Sequence, residues 1–337
     1  MELKNVLKDD HGRSINYLRL SVTDRCNLRC RYCIPQRHFT YMPHQDILSY
    51  EEMLQIITVA DKLKISKLRL TGGEPLVRRD FIGFLGRIRR RHPELDIRLT
   101  TNGTLLEKFV PALLDLGITC VNVSLDTLEA EKFAHITGRD LFHRVWRGLE
   151  LAVDQGLRLK INAVAMKGFN QEDLPGFMDL ARKWPVDVRF IEFMPIGDKC
   201  LWKERHFWPA SDILARAEEL ATLSPLEDGG KTHGPARLYT IAGGRGRFGL
   251  ITPMSSHFCG SCNRLRVTAD GRLRTCLFSE TEYRLRPLLR SSKLGPDKLL
   301  TVLRLASRRK PIGHEVIARE LQKAATQPRR GMSAIGG

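Results

Sequence analysis

The chain has 337 residues, 42% of them hydrophobic, with 55 Lys and Arg against 38 Asp and Glu. That length suits two domains or one large barrel with an appendage, and no apolar run approaches the ~20 residues needed to span a bilayer. The net charge of +17 favours a polyanionic partner (a nucleic acid, a membrane surface or a phosphorylated small molecule) without choosing among them.

The first residues, Met1 to Asn5, lack the apolar core of a secretory signal, and a cytoplasmic location is expected. Residues 17–22 alternate polar and apolar side chains and predict a first strand. A cysteine-rich loop follows. Ser49 and Glu52 have capping-box spacing at the head of a helix running to about residue 64. Residues 67–71 predict a second strand, followed by Gly72-Gly73-Glu74-Pro75 and a basic helix whose run from Arg87 to Arg91 reads mostly as a solvated face. Further strands are expected at 97–101, 120–125, 158–165 and 188–193, with helices such as 142–155 and 171–183 between them.

Alternation of this kind predicts βαβ units, a parallel sheet and right-handed crossovers. Six units fall short of a complete (β/α)8 barrel, so an incomplete (β/α)6 barrel with a lateral opening is expected. Its functional residues should gather at the C-terminal ends of the strands, where the cysteine loop, the Gly-Gly-Glu-Pro turn, Thr100 to Gly103 and Ser124 to Asp126 all fall. After Met194 the pattern changes. Residues 236–252 predict two strands joined at 243–246, and residues 264–268 and 272–276 a hairpin about Asp270-Gly271. A basic helix is expected at about 296–309. The chain thus divides into a partial barrel, 1–194, and a C-terminal α+β extension, 195–337, expected to close the barrel opening.

Cys26, Cys30 and Cys33 are spaced C-x3-C-x2-C, and Cys259, Cys262 and Cys276 are spaced C-x2-C-x13-C. Each set offers three thiols, whereas a closed zinc site and most iron–sulfur clusters take four ligands. A 4Fe-4S cluster on three thiolates keeps one iron open to a small molecule, which points to catalysis. For the second set, spacing alone leaves a Cys3His zinc site completed by His257 equally open. The zinc reading would make the chain a zinc-stapled nucleic-acid-binding protein. Cys120 is expected to be a small buried hydrophobe, and Cys200 has no partner at ligand spacing. Arg19, Arg69 and Lys160 lie in strand-like runs. They either point inward, which needs an anion to offset their burial, or line a half-exposed outer face. Arg264 and Arg266 share one strand face beside the second cysteine set, or else form a charged hairpin edge.

The cysteine loop after a first strand, with Tyr32 before its third cysteine, resembles the radical S-adenosylmethionine superfamily, as does Gly72 to Pro75. Residues 19–26, 69–76, 100–103, 122–126 and 189–194, the second cysteine set and the terminal Gly336-Gly337 make the chain similar to the GTP 3′,8-cyclase family over nearly its whole length. The resemblance implies a radical S-adenosylmethionine fold and two 4Fe-4S clusters, on Cys26, Cys30 and Cys33 and on Cys259, Cys262 and Cys276, facing one cavity. It places S-adenosylmethionine at Tyr32, Gly73, Ser124 and Met194, and GTP at Arg19, Arg69, Thr100, Lys160, Arg264 and Arg266. Arg264, Arg266, Gly336 and Gly337 acquire catalytic roles, the two glycines by reaching into the site. The implied reaction joins C3′ of GTP to C8 of its guanine, the first step of molybdenum cofactor biosynthesis. An electron-donor protein and a downstream cyclic pyranopterin monophosphate synthase are the implied partners. No nucleic-acid or membrane partner is expected, and the expected state is a monomer or homodimer. The alternative within the superfamily is an enzyme that modifies RNA or a peptide.

Overall fold

A computed structural model of the chain describes residues 6–33, 40–196, 203–227, 234–316 and 335. Cys200, Gly336 and Gly337 lie outside the described residues.

A short antiparallel hairpin, β1 (Leu7–Lys8) and β2 (Ser14–Ile15), precedes β3 (Tyr17–Ser21). Then come α1 (Tyr50–Lys62), β4 (Lys67–Thr71), α2 (Phe81–Arg91), β5 (Asp96–Thr101), α3 (Leu106–Asp115), β6 (Cys120–Ser124), α4 (Ala130–Thr137), α5 (Phe142–Asp154), β7 (Arg158–Ala165), α6 (Leu174–Lys183) and β8 (Asp187–Glu192). The C-terminal region adds α7 (Ala210–Leu220), β9 (Leu223–Pro225), β10 (Ala236–Ile241), β11 (Arg247–Ile251), β12 (Arg264–Val267), β13 (Arg272–Arg274), β14 (Tyr283–Arg284), α8 (Arg286–Leu289) and α9 (Pro296–Arg308). None of the described helices is long and apolar enough to cross a membrane.

The capping box at α1 forms as its spacing predicts. Ser49 accepts from the Glu52 N–H at 3.1 Å, and the Glu52 carboxylate accepts from the Ser49 N–H at 2.7 Å. The segment at 171–183 opens as a 3₁₀ turn and becomes α6 only at Leu174, where a proline occupies the first turn. The basic run on α2 is only partly a solvated face. Arg89 donates to the carbonyls of Leu116 (3.1 Å), Pro93 (2.8 Å) and Leu95 (3.1 Å), so it ties the helix end to the loops beyond.

Strands β3 to β8 pair in parallel and in chain order, as the six expected units require. Their apolar positions, such as Leu18, Leu20, Leu68, Leu70, Val121, Val123 and Ile161, are buried in one core with the helices. The alternate positions carry polar and charged groups on the other face. The sheet curls about that polar face. Burial lowers the basicity of Arg189 on β8, and Arg69 on β4 adds to this although three strands lie between them.

The C-terminal region joins the same sheet at both edges. β12 adds in parallel to β3 and carries the antiparallel hairpin partner β13 and then β14. β11 adds in parallel to β8 and carries β10 and β9. The six expected strands therefore carry one further parallel strand at each edge, contributed by the C-terminal extension. Closure of the opening by the extension is not seen as strand pairing. Among the described residues the order runs from β14 to β9 with no ladder joining the ends.

Candidate active site

The first thiol triplet sits where β3 ends. None of the described cysteines is in a disulfide. The loop after β4 docks on this segment through backbone bonds from Gly73 N–H to the Thr23 carbonyl and from Glu74 N–H to the Arg25 carbonyl, both 2.7 Å. Two glycines in succession are needed because a Cβ on Gly72 would lie 2.6 Å from the Thr23 oxygen, and one on Gly73 would lie 2.3 Å from the Arg25 oxygen.

Glu74 is fully buried and works as a clip. Its carboxylate accepts from Leu76 N–H (3.0 Å), Thr101 Oγ1 (2.8 Å) and Asn102 N–H (2.6 Å). Burial pushes it up to about 7 against the pull of those donors. The clip fixes the loop after β5, and from that loop Asn102 Nδ2 points at the Cys26 sulfur at 3.6 Å while donating to Asn27 Oδ1 at 2.9 Å. The Leu28 N–H reaches the same sulfur at 3.4 Å. Tyr32 donates its hydroxyl to Asp126 at 2.6 Å, and the other carboxylate oxygen of Asp126 accepts from Val164 N–H at 2.8 Å. Burial raises Asp126 to about 6. The loops after β3, β4, β5 and β6 are thus knitted into one rim.

Burial also pushes the Cys26 and Cys30 thiols up, and for Cys30 the neighbouring Cys33 and Asp126 add to this. Ionising them requires nearby positive charge, which cluster iron provides when bound. The donors to Cys26 and the clearance at Gly73 fit a cluster with a ligand beside it. So do Thr71 Oγ1, Asn122 Oδ1 and Asn162 Oδ1, which are buried without a hydrogen-bond partner among the described residues.

The expected cationic residues fall on the inner face in register. Arg19 is flanked by Arg266 on β12 and by Arg69 on β4, and Arg69 by Arg98 on β5. Thr100, Asn122, Lys160 and Asp187 run side by side across β5 to β8. Arg69 donates to the Tyr17 hydroxyl, and to the Leu99 carbonyl and Thr100 Oγ1 at 3.2 Å each, all neutral acceptors. Burial lowers Arg266 to about 10, with Arg264 adding to it, and lowers Lys160 to about 8, with Arg189 adding to it. Burial alone would raise Tyr17, but Arg69, Arg19 and Arg264 overcome it and bring the phenol down to about 8. This is a strongly positive interior, suited to a polyphosphate. Arg98, Arg189, Asn122 and Asn162 belong to the same face and escaped the sequence reading. Strand alternation, carried one position further along each run, was the signal for them.

The second triplet is not at the end where the first lies. Cys262 sits two residues before β12, and Cys276 two residues after the antiparallel β13. Because β12 runs parallel to β3, both positions are at the N-terminal end of the arc. This corrects the expectation that all functional groups gather at the C-terminal ends. The two triplets bracket the cationic rung, separated along β3 by roughly 13 Å of strand. Arg264 stacks over the Phe258 ring at 4.9 Å, so it is not a bare hairpin edge. Burial raises the Cys262 thiol, but Arg264, Lys310, a backbone amide and Arg266 more than offset this and hold it at about 7. His257 directs Nδ1 at the Pro253 carbonyl (2.7 Å) and stacks on His314 with ring centroids 5.1 Å apart. Among the described residues, no three His, Cys, Asp or Glu side chains are gathered tightly enough for a single metal ion. Tetrahedral zinc, with bonds of about 2.3 Å to sulfur, demands that closeness, whereas a cubane spreads its ligand sulfurs further apart.

Ser124 ends β6 and is exposed, and Met194 lies just beyond β8, half-buried. Both are at the rim that holds the first triplet. Cys120 is buried, as expected of a small hydrophobe.

Residues 20–181 match the Radical SAM superfamily, and residues 186–316 match Molybdenum Cofactor Synthesis C. A GTP 3′,8-cyclase from Syntrophomonas wolfei is 44% identical over 312 residues, covering 91% of this chain and 94% of the relative. One from Thermodesulfovibrio yellowstonii is 42% identical over 334 residues, covering 98% of this chain and 100% of the relative. Among solved structures, Streptococcus suis SuiB superposes with a TM-score of 0.60 at 16% identity, over 95% of this chain and 77% of that one, a likeness of fold alone. With the two matched regions in tandem and identity above 40% along nearly its full length, the chain belongs to the GTP 3′,8-cyclase family of the radical S-adenosylmethionine superfamily.

Proposed function

We propose that this chain converts GTP into (8S)-3′,8-cyclo-7,8-dihydroguanosine 5′-triphosphate, the first step of molybdenum cofactor biosynthesis. Membership of the superfamily implies a 4Fe-4S cluster and S-adenosylmethionine. The observation that carries the reading is the placement of two thiol triplets at opposite ends of one cation-lined interior. Cys26, Cys30 and Cys33 would hold the first cluster, and Cys259, Cys262 and Cys276 a second one. Bound and reduced, the first cluster with S-adenosylmethionine supplies a 5′-deoxyadenosyl radical that takes the C3′ hydrogen of GTP.

The chain's own residues bind and orient. Tyr32, Gly73, Ser124 and Met194 form the rim at which S-adenosylmethionine sits. Arg19, Arg69, Thr100 and Lys160 hold the triphosphate and ribose in the middle of the arc, where Arg189 adds a further cation. Arg264 and Arg266 present the guanine to the second cluster. Closure of C3′ onto C8 is then an intramolecular step within a fixed pose, and one electron and one proton complete the product. Gly336 and Gly337, outside the described residues, are assigned to this site on the family likeness alone. Residues 1–194 form the half that generates the radical, and residues 195–337 the half that positions the base. The chain works in the cytoplasm as a monomer or homodimer. It draws electrons from a donor protein and passes its product to cyclic pyranopterin monophosphate synthase.

The test is anaerobic incubation with dithionite, S-adenosylmethionine and GTP, followed by mass analysis for an isomer of GTP together with 5′-deoxyadenosine. Arg264→Ala and Arg266→Ala should abolish the isomer while iron content stays at the unsubstituted level. Normal turnover in either variant would refute its assigned role. Zinc without iron in anaerobically prepared protein would end the enzyme reading.

A further inference from the structure

The second thiol triplet is covered by a turn that none of the motifs includes. Residues 310–314 pass directly over Cys259 and Cys276. A methyl group on Gly313 would lie 3.0 Å from the Cys259 sulfur and 3.3 Å from the Cys276 sulfur, closer than carbon and sulfur ordinarily approach. Gly313 does not have a positive φ. The residue is small for the sake of space, not of backbone conformation. From the same segment, the backbone amides of His314 and Gly313 lie near enough to the Cys259 sulfur to favour its thiolate.

Two buried cations hold this turn in place. Arg13, which leads into β2, donates to the Cys259 carbonyl at 2.8 Å, the Lys310 carbonyl at 2.8 Å and the Pro311 carbonyl at 3.1 Å. Asp9 orients it by accepting from Arg13 Nε and, at 2.9 Å, from the Arg13 backbone N–H. Lys310 directs its ammonium to the Arg264 carbonyl at 2.8 Å and to the Thr275 carbonyl. Those two carbonyls lie next to Cys276 and two residues past Cys262. Arg13 is 7% exposed and Lys310 2%. A guanidinium and an ammonium are thus buried to fix backbone around three thiols, through contacts spanning from residue 9 to residue 314.

We propose that Arg13, Lys310 and the turn at 310–314 are positioning elements of the second iron–sulfur site, a latch that aims two N–H donors at Cys259 and covers the face of the cluster. The inference rests on the two-cluster reading above. Hydrogen bonds to cluster sulfurs and exclusion of solvent both tune the cluster and retain its iron. Loosening Arg13 releases the turn, withdraws both donors and opens the face to water. Gly313→Ala acts differently. In the metal-free chain the two thiols can rotate away from an added methyl. Once bound to iron they are pinned, and the clash stays.

The test uses the full-length chain with Cys26, Cys30 and Cys33 all changed to Ala, so that only the second site holds iron. Iron and sulfide content, the electron paramagnetic resonance spectrum of the reduced protein, and the rate of iron release to excess chelator are measured anaerobically. In that background Arg13→Met and Gly313→Ala should each release iron about 10-fold faster or more and change the spectrum. The melting temperature of the metal-free Gly313→Ala chain should match its parent. Arg13→Lys, which keeps the charge and a donor, should recover part of the slow release. If Arg13→Met does not fold, Gly313→Ala alone decides. Should the parent bind no iron, the two-cluster reading falls and the latch with it. If the parent binds iron and the substituted chains release it at the parent's rate, the latch alone is overturned.

Discussion

Gly73→Ala puts a methyl group where the cysteine loop runs. The Cβ position is 2.3 Å from the Arg25 carbonyl oxygen and 2.6 Å from both the Arg25 carbonyl carbon and the Asp24 carbonyl oxygen. Carbon and carbonyl oxygen normally meet at about 3.3 Å or more, so the two segments must separate by roughly 1 Å. No flexible side-chain tip is there to yield. The clashing atoms are backbone, tied by the 2.7 Å bonds from Gly73 N–H to Thr23 and from Glu74 N–H to Arg25. Overpacking of this kind costs about 1–3 kcal/mol of stability. A 1 Å displacement of groups that set the reacting geometry costs on the order of 100-fold in rate. The assay is 5′-deoxyadenosine formation from S-adenosylmethionine with dithionite and GTP, run beside iron analysis and thermal unfolding. The expected outcome is turnover about 100-fold lower, a melting temperature a few degrees down, and iron still bound. Full turnover with an unchanged melting temperature would show that the glycine turn does not press on the cysteine loop.

Asn102→Ala removes the donor 3.6 Å from the Cys26 sulfur and the bond to Asn27. With one fewer hydrogen bond to sulfur, the midpoint potential of the first site should become more negative in a redox titration; an unmoved potential would make that contact idle. Lys160 titrates at about 8 instead of 10.5, because of burial and then Arg189, with Arg98 adding to the depression and Cys120 and Asp187 opposing it. Between those two pH values the unfolded chain holds a proton that the folded chain has lost, so stability rises with pH across that window. Chemical denaturation of the metal-free, GTP-free protein should show that rise, to which Tyr17 also contributes, and Lys160→Met should make it shallower. An equal slope in the variant would remove Lys160 from the account.

The strands β3 to β8 and the hairpin about Asp270-Gly271 were legible because both signals are local: alternation of apolar residues in one case, and a glycine at φ 75° in the other. The first triplet was legible from spacing. Glu74 and Asn102 stood inside recognised motifs, but their work, one loop gripping the next, becomes visible only when β4 and β5 lie side by side. The end of the arc at which the second triplet sits depends on β12 running parallel to β3. Nothing in residues 259–276 encodes that direction, since a strand's partner is chosen by distant sequence. Arg13, Lys310 and Gly313 carry no motif at all, and their meaning comes from three stretches of chain meeting around one sulfur.

The seating of β12 against β3 also bears on how the protein is made. Tyr17 lies opposite Arg264, nearly 250 residues downstream, and β8 likewise awaits β11. At ~5–20 residues per second of translation, the β3 margin of the arc stands open for roughly ten seconds or more, and the β8 margin for roughly three to twelve. Such margins recruit stray strands from other nascent chains. The hairpins that end in β14 and β9 therefore act as late-arriving selvedges, and a ribosome that stalls before residue 247 leaves cloth that frays into its neighbours.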